Sequence, residues 1–162
     1  MSAKKINGFT LLELMIVLAV LAVVSAIAIP AYQKYVVRTN ITDVQTAMIQ
    51  VAQKLAIYKL ANNDYNTTLS NRAIYGGTSF PLTGAAKYTL ILNPSPSTNA
   101  QITAASSSTL SNSWELDAVP VATGKQAGSG VVRLNDQGQR CWSQTATTSP
   151  CTLSATSSWE TR

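Results

Sequence analysis

Residues 9–30 read FTLLELMIVLAVLAVVSAIAIP, an almost unbroken apolar run whose one ionisable side chain is Glu13. From Phe9 to Ile29 there are 21 residues, which as a helix measure about 30 Å, the thickness of the hydrocarbon layer of a bilayer. The segment is therefore long enough to span. Lys4 and Lys5 stand just before it and no comparable pair follows closely, so the excess of positive charge places the N-terminus in the cytoplasm and everything beyond Ile29 outside.

A removable secretory signal also begins with a basic stretch and an apolar middle, and Ala26-Ile27-Ala28 offers a small-x-small cleavage site. Two features favour a retained span. The run is longer than the usual signal core of about 7–15 residues, and it holds a carboxylate that such cores avoid.

Glu13 needs an explanation, because a carboxylate inside a bilayer costs on the order of 3 kcal/mol by insertion scales. Snorkelling to the cytoplasmic interface is one way out. A partner is the other: cutting the chain after Gly8 would free an amine on Phe9, one turn from Glu13 and on the same helix face. The positive end of the helix dipole also favours an acid there.

These residues resemble the N-terminal signature of type IV prepilins. The resemblance rests on Lys4-Lys5-Ile6-Asn7-Gly8, then Phe9-Thr10-Leu11-Leu12-Glu13-Leu14, then an apolar run ending at Ile29-Pro30, and it covers about the first 60 residues. It implies cleavage between Gly8 and Phe9 by a prepilin peptidase, N-methylation of Phe9, and assembly into a helical filament with the apolar segments at its centre. In that filament Glu13 of one subunit would pair with the Phe9 amine of another and so set the register. Neither charge would then be stranded in a dry core.

The implied fold class is α+β: a long N-terminal α-helix, half transmembrane and half amphipathic, packed on a four-stranded antiparallel β-sheet with a C-terminal disulfide-bounded loop. The expected divisions are a leader at 1–8, a transmembrane and filament-core helix at 9–29, an amphipathic helix at 30–61, an αβ-loop at 62–86, and sheet and tail at 87–162. Pro30 removes one helical hydrogen bond and disfavours helical geometry at Ile29, so a kink or local loosening is expected.

Beyond Pro30, Ile41, Val44, Met48, Val51, Leu55 and Tyr58 recur at steps of three and four, the pattern of a helix with one apolar stripe. Asn62-Asn63-Asp64 suits its end. Gly76-Gly77 and Pro81 punctuate the loop that follows. Strand patterns occur at Tyr88–Leu92, at Gln101–Ala104 more weakly, at Trp114–Val119 with Trp114, Leu116 and Ala118 on one face, and at Gly130–Leu134. Asn135-Asp136-Gln137-Gly138 reads as a turn.

Cys141 and Cys151, the two cysteines of the chain, suggest one disulfide in an oxidising compartment; by the resemblance they border the C-terminal loop. A redox or metal-binding pair would want C-x-x-C spacing and further ligands. The chain has no histidine, which removes the commonest general base and zinc ligand. It shows no paired-acid spacing and no Gly-rich phosphate loop, and one carboxylate at Asp136 is too few for an EF-hand calcium site. No catalytic residue, metal ligand or cofactor is assigned. Asn40-Ile41-Thr42 and Asn66-Thr67-Thr68 fit the glycosylation sequon, which arises easily by chance.

The net charge is +5 in 162 residues, and the cations are scattered, as on a weakly basic surface. Three functions remain in play. The first is a structural subunit of a type IV pilus, major or minor, serving adhesion, twitching motility or DNA uptake. Its partners would be other pilin subunits, the prepilin peptidase and the assembly machinery, and it would sit in the inner membrane before assembly and on the cell-surface pilus afterwards. A pseudopilin of a type II secretion system shares the same first residues. A competence pilin would bind DNA through cations such as Lys87, Lys125, Arg133 and Arg140, which requires that they converge on one face.

Overall fold

The computed structural model of the chain describes residues 9–63, 65, 79–95, 113–144 and 151–160. Helix α1 spans Leu11–Asn62, 52 residues, and continues through Pro30, so the expected kink or loosening does not end the helix there. Its first turn is capped by Thr10, whose Oγ1 accepts from the backbone N–H of Glu13 at 3.2 Å. This is the bond a threonine N-cap makes to the third helical residue. The last turn closes on Asn63, which has φ 63° and donates its N–H to the Lys59 carbonyl at 2.7 Å. Asparagine tolerates that left-handed conformation better than most residues.

The chain divides into two compact units, one ending at Val36 and one beginning at Val37. In the first, every residue from Phe9 to Tyr35 is exposed, so twenty-odd apolar side chains of α1 have no covering among the described residues. α1 is the one helix among the described residues long and apolar enough to cross a membrane.

The second unit is built on an antiparallel five-stranded sheet in the order β1-β2-β3-β4-β5, with β1 Ser79–Phe80, β2 Tyr88–Pro94, β3 Trp114–Pro120, β4 Val132–Asn135 and β5 Arg140–Trp142. Register sets Leu92 opposite Leu116 and Leu90 opposite Ala118, then Leu116 opposite Leu134 and Ala118 opposite Val132. These residues share one cluster with Ile41, Val44, Met48, Val51 and Leu55 of α1. The helical stripe thus lies on one face of the sheet. Full burial of each such side chain stabilises by roughly 1.5–3 kcal/mol.

The sheet therefore has five strands rather than the expected four. β1 falls in the stretch read as αβ-loop and β5 in the stretch read as tail. With two and three residues neither is long enough to display an alternation, and each is held by its neighbour's ladder. The strand expected at Gln101–Ala104 lies outside the described residues. β4 begins at Val132, and Gly130 instead makes a turn at φ 87°, where a side chain would overlap the Ser143 carbonyl oxygen.

Candidate functional site

In the N-terminal unit, Phe9 precedes the helix and is 78% exposed; Glu13 follows in the first turn, also exposed. Gly8 lies outside the described residues. The geometry around Glu13 is what an N-terminal acid gains anywhere: a capped first turn and the positive end of the dipole. Sequence reasoning did not single out Thr10, although the Thr10-Leu11-Leu12-Glu13 spacing is the signature of a capping box.

In the folded unit the surface cations do not all converge. Arg133 is 6% exposed and is consumed inside the sheet: its Nε donates to Asp117 Oδ1 at 2.7 Å, one terminal nitrogen donates to Glu115 Oε2 at 2.6 Å, and the other donates to the Cys151 carbonyl at 3.1 Å. It is not available to bind DNA. Glu115 and Asp117 are two apart on β3 and so share the face opposite Leu116, and register sets Arg133 across from Asp117. Burial pushes the Asp117 carboxyl up from its ordinary value of 3.8, and the Arg133 charge pulls it down. No local pattern marks this cluster: Glu115 and Asp117 alternate with apolar residues as a solvent-facing side would, and Arg133 comes opposite only through the register of β4 on β3.

Lys87 is half-buried and donates to Asn40 Oδ1 at 2.6 Å. Asn40 Nδ2 in turn donates to Gln126 Oε1 at 3.2 Å, and Gln126 Nε2 donates to Tyr88 Oη at 2.6 Å. Burial raises the Tyr88 phenol, against the lowering effect of its bonds to Ser129 and Gln126. The network ties α1 to β2 and to the β3–β4 loop. Lys125, next to Gln126 in that loop, is exposed, as are Arg38 and Arg140. Asn40 is 6% exposed within α1, so its sequon has no room for a glycan; Asn66 lies outside the described residues.

Cys141 and Cys151 are joined by a disulfide. It is not the segment's sole attachment, since Arg133 holds the Cys151 carbonyl and Trp159 Nε1 donates to the Arg133 carbonyl at 3.0 Å.

Two family models match the chain. Residues 3–29 match the prokaryotic N-terminal methylation motif, and residues 30–129 match the family described as type IV minor pilin ComP, DNA uptake sequence receptor. Among curated proteins, a probable minor fimbrial protein of Dichelobacter nodosus is 40% identical over 70 residues, which is 43% of this chain and 42% of that protein. Prepilin peptidase-dependent protein D of Escherichia coli is 36% identical over 63 residues, 39% of this chain and 43% of that protein. A fimbrial protein of Pseudomonas aeruginosa is 57% identical over 42 residues, 26% of each chain. The matches thus span less than half the length of these relatives. The crystal structure of the Neisseria meningitidis non-core minor pilin PilV aligns with a TM-score of 0.47 at 20% identity, covering 72% of this chain and 95% of that one.

Proposed function

The chain belongs to the family of type IV minor pilin ComP, DNA uptake sequence receptor, and on that premise we propose that it is a minor subunit of a type IV pilus. The observation that carries this reading is the continuous exposed apolar helix from Leu11 to Tyr35, which must be covered by lipid or by copies of the same element. The subunit waits as a single-pass inner-membrane protein with its N-terminus in the cytoplasm. A prepilin peptidase cuts between Gly8 and Phe9 and methylates Phe9, and the assembly machinery transfers the helix into the filament. There the Phe9 amine and Glu13 of neighbouring subunits pair and fix the register. Family membership favours the pilus over the type II secretion pseudopilus. Intact-mass and N-terminal analysis of protein from its native membrane tests the processing step: a chain beginning at methylated Phe9 is expected, and one beginning at Ile29 is that of an ordinary exported protein.

A second reading, favoured by the family's description, adds DNA reception by the folded unit. Arg38, Lys54, Lys125 and Arg140 are its exposed cations among the described residues. Phosphate binding through about three of them makes the logarithm of affinity fall with the logarithm of salt at a slope near −3. A binding constant for duplex DNA that is flat between low and physiological salt contradicts it.

A further inference from the structure

The folded unit carries a cleft of about 630 Å³ whose walls include Arg38, Gln45, Arg140, Trp142, Trp159 and Glu160. Its size is that of a site for one small-molecule unit, about 300–1,000 Å³. Both indoles are half-buried, and both have their single donor engaged elsewhere: Trp142 Nε1 donates to the Ser129 carbonyl at 2.9 Å and Trp159 Nε1 to the Arg133 carbonyl at 3.0 Å. Anchored by those edges, the rings offer the cleft apolar surface and no hydrogen bond. The guanidinium of Arg140 lies over the Trp159 ring, 5.4 Å from its centroid, and so covers one face of that indole, which leaves Trp142 as the ring for a base to stack on. Neither Arg38 nor Arg140 is ion-paired among the described residues, and their two charges exceed that of Glu160, the single acid of the lining.

Fixed aromatic surface beside unpaired guanidiniums is the combination that single-stranded nucleic acid requires, with a base stacked on the ring and the flanking phosphates on the cations. Gln45 and Glu160 supply an amide and a carboxylate for the polar edge of a base. A base within a duplex presents no free face. We propose that this cleft takes one unpaired nucleotide at a frayed or tailed end of DNA. The proposal deepens the DNA-reception reading above and rests on it.

The test uses the full chain in detergent micelles and measures fluorescence anisotropy of a labelled blunt duplex against the same duplex carrying a four-nucleotide unpaired tail, with quenching of tryptophan emission as a second readout. The expected result is tighter binding of the tailed duplex by roughly tenfold, toward the lower end of what one base–aromatic stack supplies. Emission should be quenched by the tailed duplex alone, and Arg38→Gln, a change at an exposed side chain, should remove the advantage. Equal affinity for blunt and tailed duplexes overturns the cleft proposal and leaves DNA reception standing, as does a tail advantage that survives both Arg38→Gln and Arg140→Gln. Binding of an oligouronate with matching quenching, in the absence of any tail advantage, makes the cleft a glycan site and also overturns it. No binding of either duplex overturns both readings.

Discussion

Arg133 and Asp117 face each other across β4 and β3 with Nε 2.7 Å from Oδ1, and the Asp117 side chain has no exposed surface. Glu115 shares the same guanidinium at 2.6 Å, so two acids depend on one buried base. Breaking a buried pair by removing one member leaves an uncompensated charge. Arg133→Ala should destabilise the protein by about 3–5 kcal/mol, read as a lower denaturation midpoint. Adding Glu115→Gln and Asp117→Asn to Arg133→Met should restore much of the loss, since no charge is then stranded.

The same pair predicts a pH dependence. Burial raises the Asp117 carboxyl above 3.8, so the folded chain holds that proton more tightly than the unfolded one. Stability from this group is complete below about pH 4 and is lost as pH rises through the elevated folded value. Subtracting the stability curve of Asp117→Asn from that of the parent should leave a component that declines with rising pH over this window; a component that rises contradicts the assignment.

The disulfide closes a separation of 10 residues. On the chain-entropy model its loss costs roughly 2.5–3 kcal/mol. Reductant should lower the melting temperature of the folded unit, and a chelator should leave it unchanged. Cys141→Ser with Cys151→Ser should reproduce the effect of reductant.

Met48 is fully buried while Ile57, nine residues on in the same helix, is 67% exposed. Met48→Ala should cost about 2–5 kcal/mol and Ile57→Ala less than about 0.5 kcal/mol. Equal costs would mean that the helix packs on the sheet by a different face.

The helical stripe from Ile41 to Leu55 was legible because five apolar residues at steps of three and four leave one face to bury. β3 was legible on its apolar side, through Trp114, Leu116 and Ala118. Its other side was not: Glu115 and Asp117 look like solvent-facing residues until register brings Arg133 opposite, and register is a property of the sheet rather than of any one strand. The same limit hid β1 and β5, and it left Arg133 among the candidate DNA contacts. Phe9 and Glu13 stood out because an acid in an apolar run is costly enough to demand a reason. The cleft beside Trp142 and Trp159 joins residues from 38 to 160 and has no local pattern.

On the proposed function, Glu13 is retained because an amine freed at Phe9, on a neighbouring subunit in the filament, compensates it. The most direct test replaces Glu13 with Leu in the full-length chain and measures the amount of the subunit in sheared pili relative to the inner membrane. Glu13→Leu protein should be made and held in the membrane but depleted from the pilus fraction. Incorporation at the parental level, with filaments of normal number and length, would contradict it.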